Sequence, residues 1–176
     1  MILYEVGGID IWYLLPCQGQ EEQKTLDLCR NFFSEEAIQD TFLLTYDCMR
    51  RYQGAWHLEK KLVFPANVLL ESENENVLKY ELRQNWEVVG RSKDILKVSL
   101  EEEKFLRFLC GKKKHMGMSK GVIFGGVTRV TEGPLKGVEA HICKIDRHKR
   151  MARLQMPKGR NIRYLLAGLE IMEKDV

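Results

Sequence analysis

Between residues 129 and 163 the chain carries Arg129, Lys136, Arg147, Lys149, Arg150, Arg153, Arg160 and Arg163, with His148 among them. Cationic side chains at that density suit phosphate. A guanidinium can grip two oxygens at once, and an ammonium acts as a point charge. Structured RNA is read through phosphates, 2′-hydroxyls and exposed loop bases, so a compact basic cluster is a suitable probe for it. The plainer alternative is a solvated basic face on which about half of these charges touch nothing in particular. His148, between Arg147 and Lys149, has two readings: contact with a base or phosphate, or a polar turn residue.

The residues give no comparable case for catalysis. Glu21-Glu22 and Glu101-Glu102-Glu103 fall in the first turns of predicted helices, where capping and the helix dipole account for them. There is no phosphate-binding glycine loop of the required spacing. Cys17, Cys29, Cys48, Cys110 and Cys143 form no CxxC pair, and none of the 4 histidines lies at a metal-ligand spacing from a cysteine. Reduced thiols in a cytoplasmic protein are the expectation, with no enzymatic activity, cofactor or metal. The N-terminus has no Lys or Arg before Lys24, unlike a secretory signal, and no run reaches the roughly 18 apolar residues of a membrane span.

Charge is divided along the 176 residues. Residues 1–110 hold 13 Lys and Arg against 19 Asp and Glu, whereas residues 111–176 hold 15 against 6. The net +3 of the whole chain therefore conceals an acidic part and a strongly basic one, which points to two modules with different partners.

The basic residues need elements to hold them. Gly133-Pro134-Leu135-Lys136-Gly137 has the composition of a turn. Val138, Ala140 and Ile142 then alternate with Glu139, His141 and Cys143, the period of a half-buried strand. Asp146-Arg147-His148-Lys149-Arg150 forms a second, basic turn, after which Ala152, Leu154 and Met156 alternate with Arg153 and Gln155. Two successive hairpins are predicted, within a small closed β-barrel over residues 122–176. Residues 111–121, rich in Gly and Lys, read as a basic linker.

Residues 1–110 read as an α+β module, an antiparallel sheet with flanking helices. Strands are predicted over 9–15, over 41–46 and on both sides of Phe64-Pro65-Ala66, with a turn at 50–54. Helices are predicted over 21–33, from the Asn74 cap to about 85, and behind the capping box Ser99-Leu100-Glu101-Glu102. Trp12, Tyr13, Phe64, Val68 and Trp86 admit two readings: an exposed apolar patch that receives a partner helix, or ordinary core.

Gly125-Gly126-Val127-Thr128-Arg129-Val130-Thr131-Glu132-Gly133-Pro134-Leu135-Lys136-Gly137, continuing to Lys144-Ile145-Asp146 and Lys149, closely resembles a KOW motif, which forms SH3-like barrels. Trp12-Tyr13, Gly19-Gln20-Glu21, Phe64-Pro65 with Val68-Leu69-Leu70-Glu71, and Ser99 to Glu103 resemble the N-terminal domain of NusG. The resemblance to the NusG family runs from about Ile9 to Lys174. Gly117-Met118-Ser119-Lys120-Gly121 and Ile145 to Arg150 look most like its LoaP branch, bacterial operon-specific antiterminators. The sequence departs from the family at Ala66-Asn67, where Gly-Tyr usually follows Phe-Pro, at Gly126, where an acidic residue is common, and at Asn85-Trp86-Glu87, which lacks a proline.

The resemblance implies a monomeric transcription antitermination factor. Its N-terminal domain would dock on the clamp helices of RNA polymerase through Trp12, Tyr13, Phe64, Pro65, Val68 and Trp86. Its KOW domain would bind a hairpin in the nascent RNA through the basic residues named above. Two alternatives stand beside it: a general NusG-like factor whose KOW domain binds proteins, and a KOW-containing ribosomal RNA-binding protein.

Overall fold

The computed structural model describes residues 10–89, 95–158 and 161–175. It is an α+β protein that divides into two compact units, Met1–Leu43 with Phe64–Val98, and Leu44–Val63 with Ser99–Val176. The division differs from a boundary at residue 110. A β-hairpin and the helix behind Ser99 belong to the second unit, and the segment 111–121 contains strand rather than linker alone.

The first unit holds β1 (Ile11–Pro16), α1 (Glu22–Phe32), β2 (Asp40–Phe42), β5 (Asn67–Ser72), α2 (Glu75–Gln84), the short α3 (Trp86–Val89) and β6 (Leu96–Lys97). Its sheet is antiparallel throughout, in the order β2-β5-β1-β6. Apolar periodicity explains the layering. Leu26 and Cys29 of α1 and Leu78 and Leu82 of α2 cover the sheet face carrying Tyr13, Leu15, Val68 and Leu70. A fully buried leucine such as Leu70 contributes about 2 kcal/mol to this core. Asn74 caps α2 by accepting a hydrogen bond from the Val77 N–H at 3.2 Å, as its position in the sequence predicts.

The second unit contains β3 (Thr45–Tyr52), β4 (Ala55–Leu62), α4 (Leu100–Cys110), β7 (His115–Met116), β8 (Ser119–Phe124), β9 (Val127–Glu132), β10 (Ile142–Asp146), β11 (Met151–Gln155) and β12 (Tyr164–Lys174). Gln53 and Gly54, both at positive φ, turn β3 into β4. The strands therefore run further toward the tip than the predicted turn at 50–54 allows. β7 adds to β3 in parallel, giving the order β4-β3-β7. The predicted capping box closes the start of α4: the Ser99 hydroxyl accepts from the Glu102 N–H at 3.2 Å, and Glu102 accepts from the Ser99 N–H at 2.8 Å.

The remaining strands form one sheet in the order β10-β11-β12-β8-β9, with β8 and β12 parallel and the other pairs antiparallel. No pairing of β9 with β10 closes it among the described residues, so the predicted closed barrel is an open sheet. For the same reason the first of the two predicted hairpins does not form. After β9 the chain makes the turn 133–137, then a single 3-10 turn over Glu139–His141 where a strand was predicted, and only then enters β10. Glu139 explains the change: its carboxylate accepts from the N–H groups of Val130 (3.1 Å) and Gly137 (2.9 Å), drawing the backbone back upon itself. Leu135, fully buried, plugs the same loop, and its N–H donates to the Ser119 hydroxyl. Gly133 is required here: it stands at φ +94, and a Cβ would lie 2.5 Å from the Met118 carbonyl oxygen.

Candidate nucleic-acid interface

The second predicted hairpin, β10–β11, carries most of the candidate site. Asp146 pairs with Met151 across a four-residue turn in which Arg147, His148 and Lys149 are exposed. The turn is built locally: the Asp146 carboxylate accepts from the Lys149 N–H at 3.0 Å, and the Arg147 carbonyl accepts from the Arg150 N–H at 3.3 Å. Beyond it, Ala152, Leu154 and Met156 are buried while Arg153 and Gln155 face solvent, the alternation that the sequence predicts.

Arg150 does something else. Its guanidinium lies 4.1 Å over the Trp56 ring of β4 and 2.9 Å from the Glu170 carboxylate of β12, with a quarter of each charged side chain exposed. Its backbone stands at φ +52, and its carbonyl accepts from the Leu169 N–H at 2.9 Å. These contacts spend the charge inside the unit and remove Arg150 from the free cations of the turn.

Register places further groups around Arg153. Lys144 of β10 and Leu166 of β12 are its direct cross-strand partners, and Gln155 is opposite Tyr164. Direct partners share a face, so Lys144, Arg153, Gln155, Tyr164 and Leu166, all exposed, form one outward stripe. Two cations directly opposite each other repel unless an anion lies between them. Among the described residues no carboxylate lies within ion-pair distance of Lys144, Arg147, Lys149, Arg153 or Arg163. Arg163 is exposed just before β12, its carbonyl accepting from the Met156 N–H.

The other candidates lie elsewhere. Arg129 is on β9, the opposite edge strand, and Lys136 is in the turn after it; both are exposed. Arg160 lies outside the described residues. The structure thus brings Arg147, His148, Lys149 and Arg153 together on one hairpin, with Arg163 at its far end. It does not gather all nine predicted residues in one place. Sequence reasoning missed Lys144 and Tyr164, although the alternation through β10 and β12 carries both to the Arg153 face.

The candidate apolar patch in the first unit also separates. Trp12 and Tyr13 are adjacent in β1 and so point to opposite faces of the sheet. Trp12 is buried, its indole N–H donating to Glu71 at 2.6 Å and its ring meeting Phe42 edge-on at 4.9 Å. Tyr13 is buried with the helices, and burial, reinforced by the Glu75 carboxylate, pushes its phenol up to about 12. Val68 is fully buried. These three are core. Phe64 is half-buried, Pro65 exposed and Trp86 50% exposed, so only these remain available to a partner.

The turn after Phe64 is pinned from within its unit. The Ala66 N–H donates to the Glu22 carboxylate at 2.9 Å, and the Ala66 carbonyl accepts from the Cys17 N–H at 2.9 Å. The Ala66 hydrogen bond, helped by other backbone N–H groups, holds the Glu22 carboxyl below its ordinary range. Ala66 itself stands at φ +58, a conformation that glycine adopts more readily.

Two other polar clusters escaped the sequence reading, the first because His115 is 70 residues from Thr45 in the chain. Thr45 Oγ1 is 2.7 Å from His115 Nδ1, and His115 Nε2 is 2.9 Å from Asp47 Oδ1. Thr45 and His115 are register partners, so this network fastens β7 to β3. At the β3–β4 tip, Arg50 lies 5.9 Å over the exposed Tyr52 ring, which is tilted against His57.

All five cysteines are free, and burial pushes the Cys29 and Cys110 thiols up to about 12, which makes poor nucleophiles of them. Among the described residues no group of three His, Cys, Asp or Glu side chains could hold a metal ion, and no helix is long and apolar enough to cross a membrane. The sequence matches no family model and no curated protein.

Proposed function

We propose that this chain is a transcription elongation and antitermination factor of the NusG type, most like the LoaP branch. Its C-terminal part captures a structured nascent RNA, and its N-terminal part binds the clamp helices of RNA polymerase. The observation that carries the reading is the β10–β11 hairpin. Lys144 and Arg153 face each other directly, Arg147 and Lys149 extend from the turn, and none has a carboxylate partner among the described residues. Polyanion binding resolves the repulsion that such an arrangement creates. The KOW-like motif at 125–149 and the NusG-like segments in β1, β5 and α4 supply the transcriptional context. The polymerase contact then falls on Phe64, Pro65 and Trp86, the members of the predicted patch that are not core.

A salt series tests the RNA step. The full chain is titrated with hairpin RNAs while KCl is varied from 50 to 300 mM. Engagement of about four phosphates predicts a log–log slope of about −3. Arg147→Ala with Lys149→Ala should flatten it by about 1.4. A wild-type slope near zero, or no binding to any hairpin, rejects the reading.

A second reading, in which the C-terminal part binds protein, is favoured by one observation. A cleft of about 560 Å³ separates the edge strands β9 and β10, lined by Val127, Thr128, Ile142 and Ile145 among others. Unpaired strand edges accept extended peptides. Pull-down of protein partners by the full chain, with no salt-dependent RNA binding, would select it.

A further inference from the structure

We propose that Tyr164, with the Arg153 guanidinium stacked upon it, is a platform for an unpaired RNA base. The inference rests on the reading of the C-terminal part as RNA-binding and names what that part recognises: single-stranded nucleotides, such as those of a hairpin loop, beside the phosphates.

The geometry points there in three ways. The Arg153 guanidinium carbon lies 4.7 Å above the Tyr164 ring centroid, so one face of the ring is backed by a cation on which a base can stack in turn. Tyr164 is 50% exposed at the first position of β12, and Leu166, on the same face, is 45% exposed. An aromatic and a leucine left open beside unpaired cations offer a π-face and an apolar floor next to phosphate contacts. Finally, Lys144 stands opposite Arg153, which puts a second cation on the same face as the ring. Proteins that hold single-stranded nucleic acid combine these same elements, a basic track and an aromatic on which bases stack. A paired duplex hides its base faces and can use only the cations.

The full chain is titrated with a 12-nucleotide oligoadenylate carrying one 2-aminopurine, and separately with a blunt 12-base-pair RNA duplex. Tyr164→Ala should weaken oligoadenylate binding by roughly five- to a hundredfold and leave duplex affinity within about twofold. Tyr164→Phe, which keeps the ring, should bind like wild type. The 2-aminopurine fluorescence should be quenched on binding to wild type and Tyr164→Phe but not to Tyr164→Ala. Thermal melting checks that the variants fold alike. Equal binding of both RNAs by wild type and Tyr164→Ala, with loss only on Arg147→Ala/Lys149→Ala, overturns the platform while leaving the RNA reading intact. Failure of wild type to bind either RNA overturns both.

Discussion

Arg150→Ala removes a guanidinium that lies 4.1 Å over Trp56 and 2.9 Å from Glu170. The cation–π contact is partly desolvated, so about 1–2 kcal/mol is at stake there. The ion pair adds about 0.5–1 kcal/mol, since both charged groups are about three-quarters shielded from water. Together they predict a loss of about 1.5–3 kcal/mol and, for a chain of this size, a fall in Tm of about 4–10 °C. Arg150→Lys keeps the charge but not the planar stack, and should recover less than half of that. A double-mutant cycle with Trp56→Leu should give a coupling of about 1 kcal/mol or more. Arg147→Ala, three residues earlier in the chain but at an exposed position, should change stability by no more than about 0.5 kcal/mol. Circular-dichroism melts measure stability, and the salt slope of RNA binding measures the phosphate contacts. Arg150→Ala should lower Tm and leave the slope unchanged, whereas Arg147→Ala should do the reverse. An unchanged Tm for Arg150→Ala, with a slope reduced as much as by Arg147→Ala, would refute the assignment of Arg150 as a brace.

Gly168→Ala should be severely destabilising, because a Cβ there would overlap Met118 Sδ and lie 2.5 Å from the Asp47 carbonyl oxygen; urea denaturation should show a loss of about 3 kcal/mol or an unfolded protein. Glu102→Ala should cost about 2–4 kcal/mol by the same measurement. It deletes half of the α4 capping box and leaves the N–H of Ile162, which donates to Glu102 at 3.2 Å, without its partner. The Glu22 carboxyl, held low by the Ala66 N–H, contributes stability that is fully present above its ordinary value of 4.5 and is lost as pH falls through its lower folded value. Glu22→Gln should therefore lower Tm at pH 6 and show a smaller further fall below pH 4.5 than wild type; equal pH profiles would remove Glu22 from the account.

What could be read from the sequence was local. The Asn74 cap, the Ser99–Glu102 box and the alternation of Ala152, Leu154 and Met156 with Arg153 and Gln155 depend on neighbours within a few residues, and each is found where the spacing puts it. The 3-10 turn over Glu139–His141 was hidden because alternation through 138–143 looked like a strand. The deciding contact is a carboxylate reaching back to Val130, which no periodicity records. Trp12 and Tyr13 could be assigned to opposite faces from their adjacency alone, but their burial depended on Phe42 and on the helices packed from elsewhere in the unit.

The basic run Arg147 to Arg150 makes the same point at the site. As sequence, the two arginines of the run are equivalent. In the fold they part because Arg150 closes the turn at φ +52, with its carbonyl bonded to the Leu169 N–H. Its side chain lies against Trp56 and Glu170, while that of Arg147 is exposed in the turn. The converse holds for Tyr164, which carries no charge but which register sets opposite Gln155 and under Arg153. Charge count thus overstates the interface at one position and misses it at another. The quantity that matters is cation left without a carboxylate partner within the fold, and by that measure the site extends from the turn to the Lys144–Arg153–Tyr164 stripe.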